Sequence, residues 1–347
     1  MRRHRRSRAV MGALCAALLF GACRFTGFYD TQARSTATAA TGWLDAQQQA
    51  DGSFELAGFP GFETPDAVLA IAENGQTTFA WDAANALTAV NAVKVGGHSG
   101  LHALDDLADA GIDAGQAAKL VVLDTEPLGL SATAFNPDGD ATSVNLKAII
   151  TAGAQPDGSY GAFNATLYAA IALRLLNGSV PANTVAYIRA AQQANGGWGF
   201  SGLPSGTDLD IDTTGLAIQA LAAAKVSPTN GDLRAGLNFL ALQHRASGAW
   251  RAFGSDDPNS TSVATMAITA AGFDPTKPCW RDLVAPGRAG TPYTSPIVWL
   301  RGRQHADGHI ASPNDSFGLN TFATAQSIQA LRRGWLPVTP LPAQSCS

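Results

Sequence analysis

The chain has 347 residues, 27 of them acidic and 23 basic, for a formal net charge of −4. Five arginines lie in the first eight residues; without them the formal charge falls by five, to −9, a surface that repels phosphate backbones and excludes nucleic acid as a partner. The remaining length suffices for one large core or two modest domains, and the repeat pattern decides for one.

Residues 1–22 read as an export signal. Arg2, Arg3, Arg5, Arg6 and Arg8 precede an apolar run that ends at Phe20-Gly21-Ala22. Small residues directly before Cys23 resemble a lipoprotein processing box, with Phe20 where Leu, Val or Ile is usual. Cys23 is therefore the expected lipidation site, which would hold the protein at the outer face of the cytoplasmic membrane; cleavage with release is the alternative. A short linker follows over 23–35, then a repeat domain over 36–335 and a Pro-rich tail over 336–347. Cys15 leaves with the signal, so Cys279 and Cys346 remain to pair in an oxidising compartment. Two isolated cysteines make no metal site. His98, His102, His244, His305 and His309 show no ligand spacing with Cys279, and no metal or cofactor is expected.

Six segments of the repeat domain are amphipathic helical candidates: 36–49, 79–93, 141–154, 181–193, 232–243 and 295–304. Six others start on a polar residue and then run apolar on nearly every turn: 63–72, 113–123, 164–176, 212–224, 259–271 and 320–331. The first set can face core and water, whereas the second must be covered on both sides, so the first is outer and the second inner. The segment 98–110 falls outside this count and is read as a short extra helix. The second inner segment matches worst, lacking the threonine near its start and carrying Lys119. Asp212 is the expected N-cap of the fourth inner helix, where its carboxylate would accept orphan N–H groups. Alternating outer and inner helices joined by short loops predict an all-α ring of six pairs, an (α/α)6 toroid.

Most outer helices end in a repeated turn, among them Gln49-Ala50-Asp51-Gly52-Ser53-Phe54, Gln155-Pro156-Asp157-Gly158-Ser159-Tyr160 and Gln193-Ala194-Asn195-Gly196-Gly197-Trp198. Further copies run from Gln243 to Trp250 and from Gln304 to Ile310. The glycine allows a positive φ that stops the helix, the aromatic packs back between neighbours, and the glutamine amide can bridge to the adjacent unit.

These turns resemble the Gln-x(2–5)-Gly-x-Trp repeats of the squalene cyclase and protein prenyltransferase superfamily, over about residues 36–335. Within it, the chain looks most similar to exported bacterial proteins described only as carrying prenyltransferase or squalene oxidase repeats. The resemblance implies three chemistries. In class II terpene cyclisation the motif Asp-x-Asp-Asp-Thr-Ala supplies a general acid. Here it aligns with Asp210-Ile211-Asp212-Thr213-Thr214-Gly215, so Asp212 would be the acid, Asp210 the first aspartate, and Thr213 stands where the third aspartate belongs. Prenyl transfer needs a zinc held by Asp, Cys and His, and Cys279 has no such partners. The third is binding without chemistry, as in toroids that carry cobalamin. The mouth of the ring would then offer Asp208, Thr213, Asn164, Asn259 and Asn320 to an apolar or mixed small molecule, or to a surface protein. With the acid motif incomplete, the sequence favours an exported or surface-anchored binding scaffold; the alternative is a class II cyclase that protonates an isoprenoid alkene through Asp212.

Overall fold

The computed structural model describes residues 31–55, 59–78, 80–229, 231–314, 321–332 and 340–344. The export signal, Cys23, Asn320 and Cys346 lie outside them.

The inner helices are α2 (Thr64–Asn74), α5 (Ala114–Leu120), α7 (Phe163–Asn177), α9 (Ile211–Ala223), α11 (Pro258–Ala270) and α14 (Thr321–Arg332). Helix α5 continues as a π-helical turn, Val121–Thr125. Helix α2 packs on the π-helical turn, each inner helix from α5 onward packs on the next, and α14 packs on α2, which closes the ring. They run parallel, as contacts between like positions show: Asn259 Nδ2 donates to Gln326 Oε1 (3.3 Å), and Thr321 Oγ1 to Glu63 Oε2 (2.9 Å). Their N-terminal turns therefore gather at one end of the ring.

Burial follows the division expected from the sequence. Every residue of α11 is buried, and all but one of α9. The outer helices α1 (Thr31–Asp45), α6 (Leu146–Ala152), α8 (Ala182–Ala190), α10 (Gly231–Gln243) and α13 (Pro296–Arg301) bury one face; in α8 that face is Thr184 and Ile188, one turn apart. The segment left uncounted in the sequence is a full helix, α4 (Gly100–Asp109), which directly precedes α5 and packs on α2 as α10 packs on α9. Helix α3 (Ala83–Ala92) lies beside it on α2, and α12 (Cys279–Val284) is a further outer turn on α10. Cys279 is disulfide-bonded. The tail docks through Leu341 N–H on Ala270 O (2.9 Å) and Gln344 N–H on Gly272 O (2.8 Å), two residues short of Cys346.

The repeated turn has one geometry in five copies. The N–H groups of Gln49, Gln155, Gln193, Arg245 and His305 donate to the carbonyl four residues on, and each carbonyl accepts from the turn glycine. Those glycines have φ between +87° and +106°. A Cβ on Gly196 would stand 2.4 Å from Ala235 O of α10, so the glycine also sets how closely adjacent outer helices approach. The next aromatic or aliphatic residue then donates its N–H to a threonine on the inner helix: Phe54 to Thr64, Tyr160 to Thr166, Trp198 to Thr214, Trp250 to Thr261 and Ile310 to Thr324, all at 2.9–3.0 Å. The second unit, which lacks the threonine, starts α5 with a capping box between Asp113 and Gln116 instead.

One detail of the motif shifts. The amides that reach the turn glycine's carbonyl belong to Gln48 and Gln192, one residue before Gln49 and Gln193. Gln192 Nε2 reaches Gly196 O (2.7 Å) and Asp232 O of α10 (2.8 Å). Gln304 does the same between Gly308 O and Thr36 O of α1, across the closure of the ring.

Candidate active site

Asp208, Asp210, Asp212 and Thr213 lie where the third turn leads into α9. A two-residue hairpin, β1 (Trp198–Gly199) with β2 (Leu209–Asp210), pairs Trp198 with Asp210 and holds Asp210 extended. Asp210, not Asp212, is therefore the N-cap of α9: its Oδ1 accepts Thr213 N–H (2.7 Å) and its Oδ2 the Thr213 hydroxyl (2.7 Å). Thr213, a ligand contact expected from the sequence, is buried, and its hydroxyl is engaged by that cap. Asp208 orders the loop, accepting Ser201 N–H (2.5 Å), which holds its carboxylate below the usual range.

Released from capping, Asp212 is the one residue of α9 that is not buried. Its side chain is exposed to solvent although protein surrounds it closely. Desolvation raises it to about 7, against a hydrogen bond with Ser260; the charges of Asp210 and Asp257 push it further in the same direction. Asp257 comes from the next unit, at the end of a second hairpin, β3 (Trp250–Ala252) with β4 (Ser255–Asp257). It caps α11 through Ser260 N–H (3.0 Å) and accepts Asn314 Nδ2 (2.9 Å) and the Ser312 hydroxyl. Neither Asp257 nor Ser260 was singled out in the sequence, because both lie some 45 residues beyond the motif they complete. Asn259 is tied to Gln326, while Asn164 on α7 has an Oδ1 without a hydrogen-bond partner.

A second acidic group was missed entirely. Lys119 Nζ lies 2.8 Å from Asp66 Oδ2, donates to Phe62 O (2.6 Å) and stands over the Phe62 and Phe322 rings at 5.4 and 5.8 Å. The lysine that looked misplaced in an apolar segment is thus the partner of a buried aspartate on α2. Asp124, in the π-helical turn, is fully buried with no hydrogen-bond partner on either oxygen; desolvation and then Asp66 push its pKa well up. Burial likewise raises the Tyr168 hydroxyl nearby. An acid that donates to substrate must touch it, so the sealed Asp124 is a poorer proton donor than the reachable Asp212. Lys119→Met is expected to cost about 3 kcal/mol in urea unfolding, because it strands a buried carboxylate, and adding Asp66→Asn should restore most of the loss. Among the described residues, His102, Asp106 and Asp138 are the group able to hold a metal ion, although the sequence suggested none.

No family model matches the chain, and no curated protein matches it. Solved structures do. The type II terpene cyclase MstE from Scytonema, in its apo form, is 15% identical with a TM-score of 0.56, over 87% of this chain and 97% of that one. A variant of it in complex with geranylgeranyl dihydroxybenzoate, its substrate, gives 15% identity, a TM-score of 0.58 and coverage of 87% and 97%. Another, with the product merosterolic acid A, gives 15%, 0.56, 87% and 96%. The preference for a scaffold without chemistry is thereby overturned: a ring of this architecture holds substrate and product of a cyclase. Nor does the likeness single out the exported repeat proteins of unassigned function. The chain has the closed all-α toroid fold of the type II terpene cyclases.

Proposed function

We propose that this protein is a proton-initiated cyclase of a linear, apolar isoprenoid, with Asp212 as general acid. The observation that carries the proposal is a reachable carboxyl on an inner helix whose pKa is raised to about 7, so that it holds a proton near neutrality. Transfer of that proton to a terminal trisubstituted alkene uses the π pair to form a C–H bond and leaves a tertiary cation. The next alkene attacks the cation and closes a ring, and loss of a proton to water gives an isomer of the substrate. Solvent then reprotonates Asp212. The motif's missing third aspartate is offset by Asp257, whose negative charge reaches Asp212 from the neighbouring unit and favours the cation that follows. The substrate class is supported by exposed Phe59, Phe62, Phe200, Leu203 and Phe253, all in segments leading into α2, α9 and α11, an apolar border to the end where Asp212 sits.

The test is incubation of the purified chain in D2O with squalene and with geranylgeranyl-substituted aromatic acids. The expected product is a cyclic isomer that carries one deuterium, detected by mass spectrometry. Cyclic product without deuterium would remove protonation as the first step.

A further inference from the structure

The chemistry proposed for Asp212 leaves one constellation unused. His102 and Asp106 lie one turn apart on α4, and Asp138 sits in the loop between the π-helical turn and α6. One ligand atom from each falls within 4.8 Å of the others. His102 Nδ1 contacts Asp138 Oδ2, and its Nε2 is 3.6 Å from Asp106 Oδ2. An ion with four ligands at about 2.0–2.1 Å holds them about 3.4 Å apart, so a turn of the largely exposed Asp106 side chain closes the site.

Two further observations point to a cation rather than to a chance surface pair. Asp105, only 2% exposed, is tied to the group: its Oδ2 accepts Asp138 N–H (3.1 Å), and its Oδ1 has no hydrogen-bond partner. A buried carboxylate oxygen without a donor is costly unless a cation or proton meets it. The charges of Asp109 and Asp140 reach the same carboxyl and that of Asp51 reaches His102, so carboxylates outnumber the imidazoles around this spot. His98 stacks on His102 with ring centroids 3.9 Å apart, which fixes the plane of the ligand ring.

We infer that His102, Asp106 and Asp138 form a site for a divalent transition ion of the zinc class, backed by Asp105. An imidazole with two carboxylates suits Zn2+ better than Mg2+ or Ca2+, which prefer oxygen alone. Solvent completes the coordination. The ion acts as a staple: it pins the loop carrying Asp138 to α4, and with it the connection from the turn bearing Asp124 to α6, whose ends are otherwise joined by the bridge between Phe135 and Val144.

The experiment is calorimetric titration of chelator-treated full-length protein with Zn2+, with Mg2+ and Ca2+ as separate arms. One saturable Zn2+ site is expected to weaken at least tenfold in Asp106→Asn and in Asp138→Asn, and Zn2+ should raise the melting temperature of the parent but of neither variant. Asp106 is exposed, so its variant should fold whatever becomes of Asp138→Asn. His309→Gln, which alters the other His–Asp contact at Asp307, should keep the site. Absence of saturable Zn2+ binding to the parent, unchanged affinity in both aspartate variants, or tighter binding of Ca2+ than of Zn2+ would overturn the assignment.

Discussion

Asp212→Asn should lower turnover by about 10²–10⁴-fold, the span ascribed to a positioned general acid, while leaving the fold intact. The two halves of that expectation come from one structural fact. Asp210 caps α9, so the asparagine removes a proton donor without removing a cap. The wild-type rate should be highest below pH 7 and fall about tenfold per unit above it, because the protonated carboxyl is the reactive form and its pKa is raised to about 7. Stability should move the same way. The folded-state pKa lies above the ordinary aspartate value, so this group's contribution is fully present below about pH 4 and is lost as pH rises through 7. Asp212→Asn should flatten that part of the stability profile. A pH series of initial rates alongside thermal melts checks both, and turnover that survives the substitution would exclude Asp212 as the acid. Asp210→Ala should behave differently, costing about 1 kcal/mol through the lost cap.

Trp198→Ala is expected to cost about 3–5 kcal/mol in chemical denaturation, the largest stability loss foreseen for a single ring residue. The indole is fully buried, its Nε1 donates to Ile188 O (2.7 Å), and its backbone N–H is held by Thr214. It joins an outer helix, a turn and an inner helix at one point, and the cavity left behind cannot collapse without moving all three. Trp250 stands identically on Leu240 O (2.8 Å), so Trp250→Ala should cost a similar amount. Phe253→Ala provides the contrast. That aromatic is 96% exposed at a hairpin tip, and its removal should change stability by less than about 0.5 kcal/mol. Equal losses at Trp198 and Phe253 would contradict the structural reading of the repeated turns.

The sequence by itself determined the ring. Apolar segments with no polar face had to be covered on both sides, and glycine turns with aromatic followers fixed where each pair reverses; the six inner helices appear where that pattern put them. It also brought Asp210 and Asp212 forward as the positions of interest. It could not decide which of the two caps α9, since both are aspartates near a helix start and the choice rests on hairpin pairing that keeps Asp210 extended. Helix α4 was left outside the six pairs because its unit lacks the turn motif that marked the others. The site's remaining charges were beyond reach for a different reason. Asp257 meets Asp212 from the next unit, and Lys119 meets Asp66 across 53 residues of chain, so no local window contains either pair. Counting carboxylates within the motif made the acid site look incomplete, and that tilted the reading toward a scaffold. Packing of adjacent units brings the charge of Asp257 to Asp212, because electrostatic energy depends on distance in space and burial, both of which are set only when the helices pack.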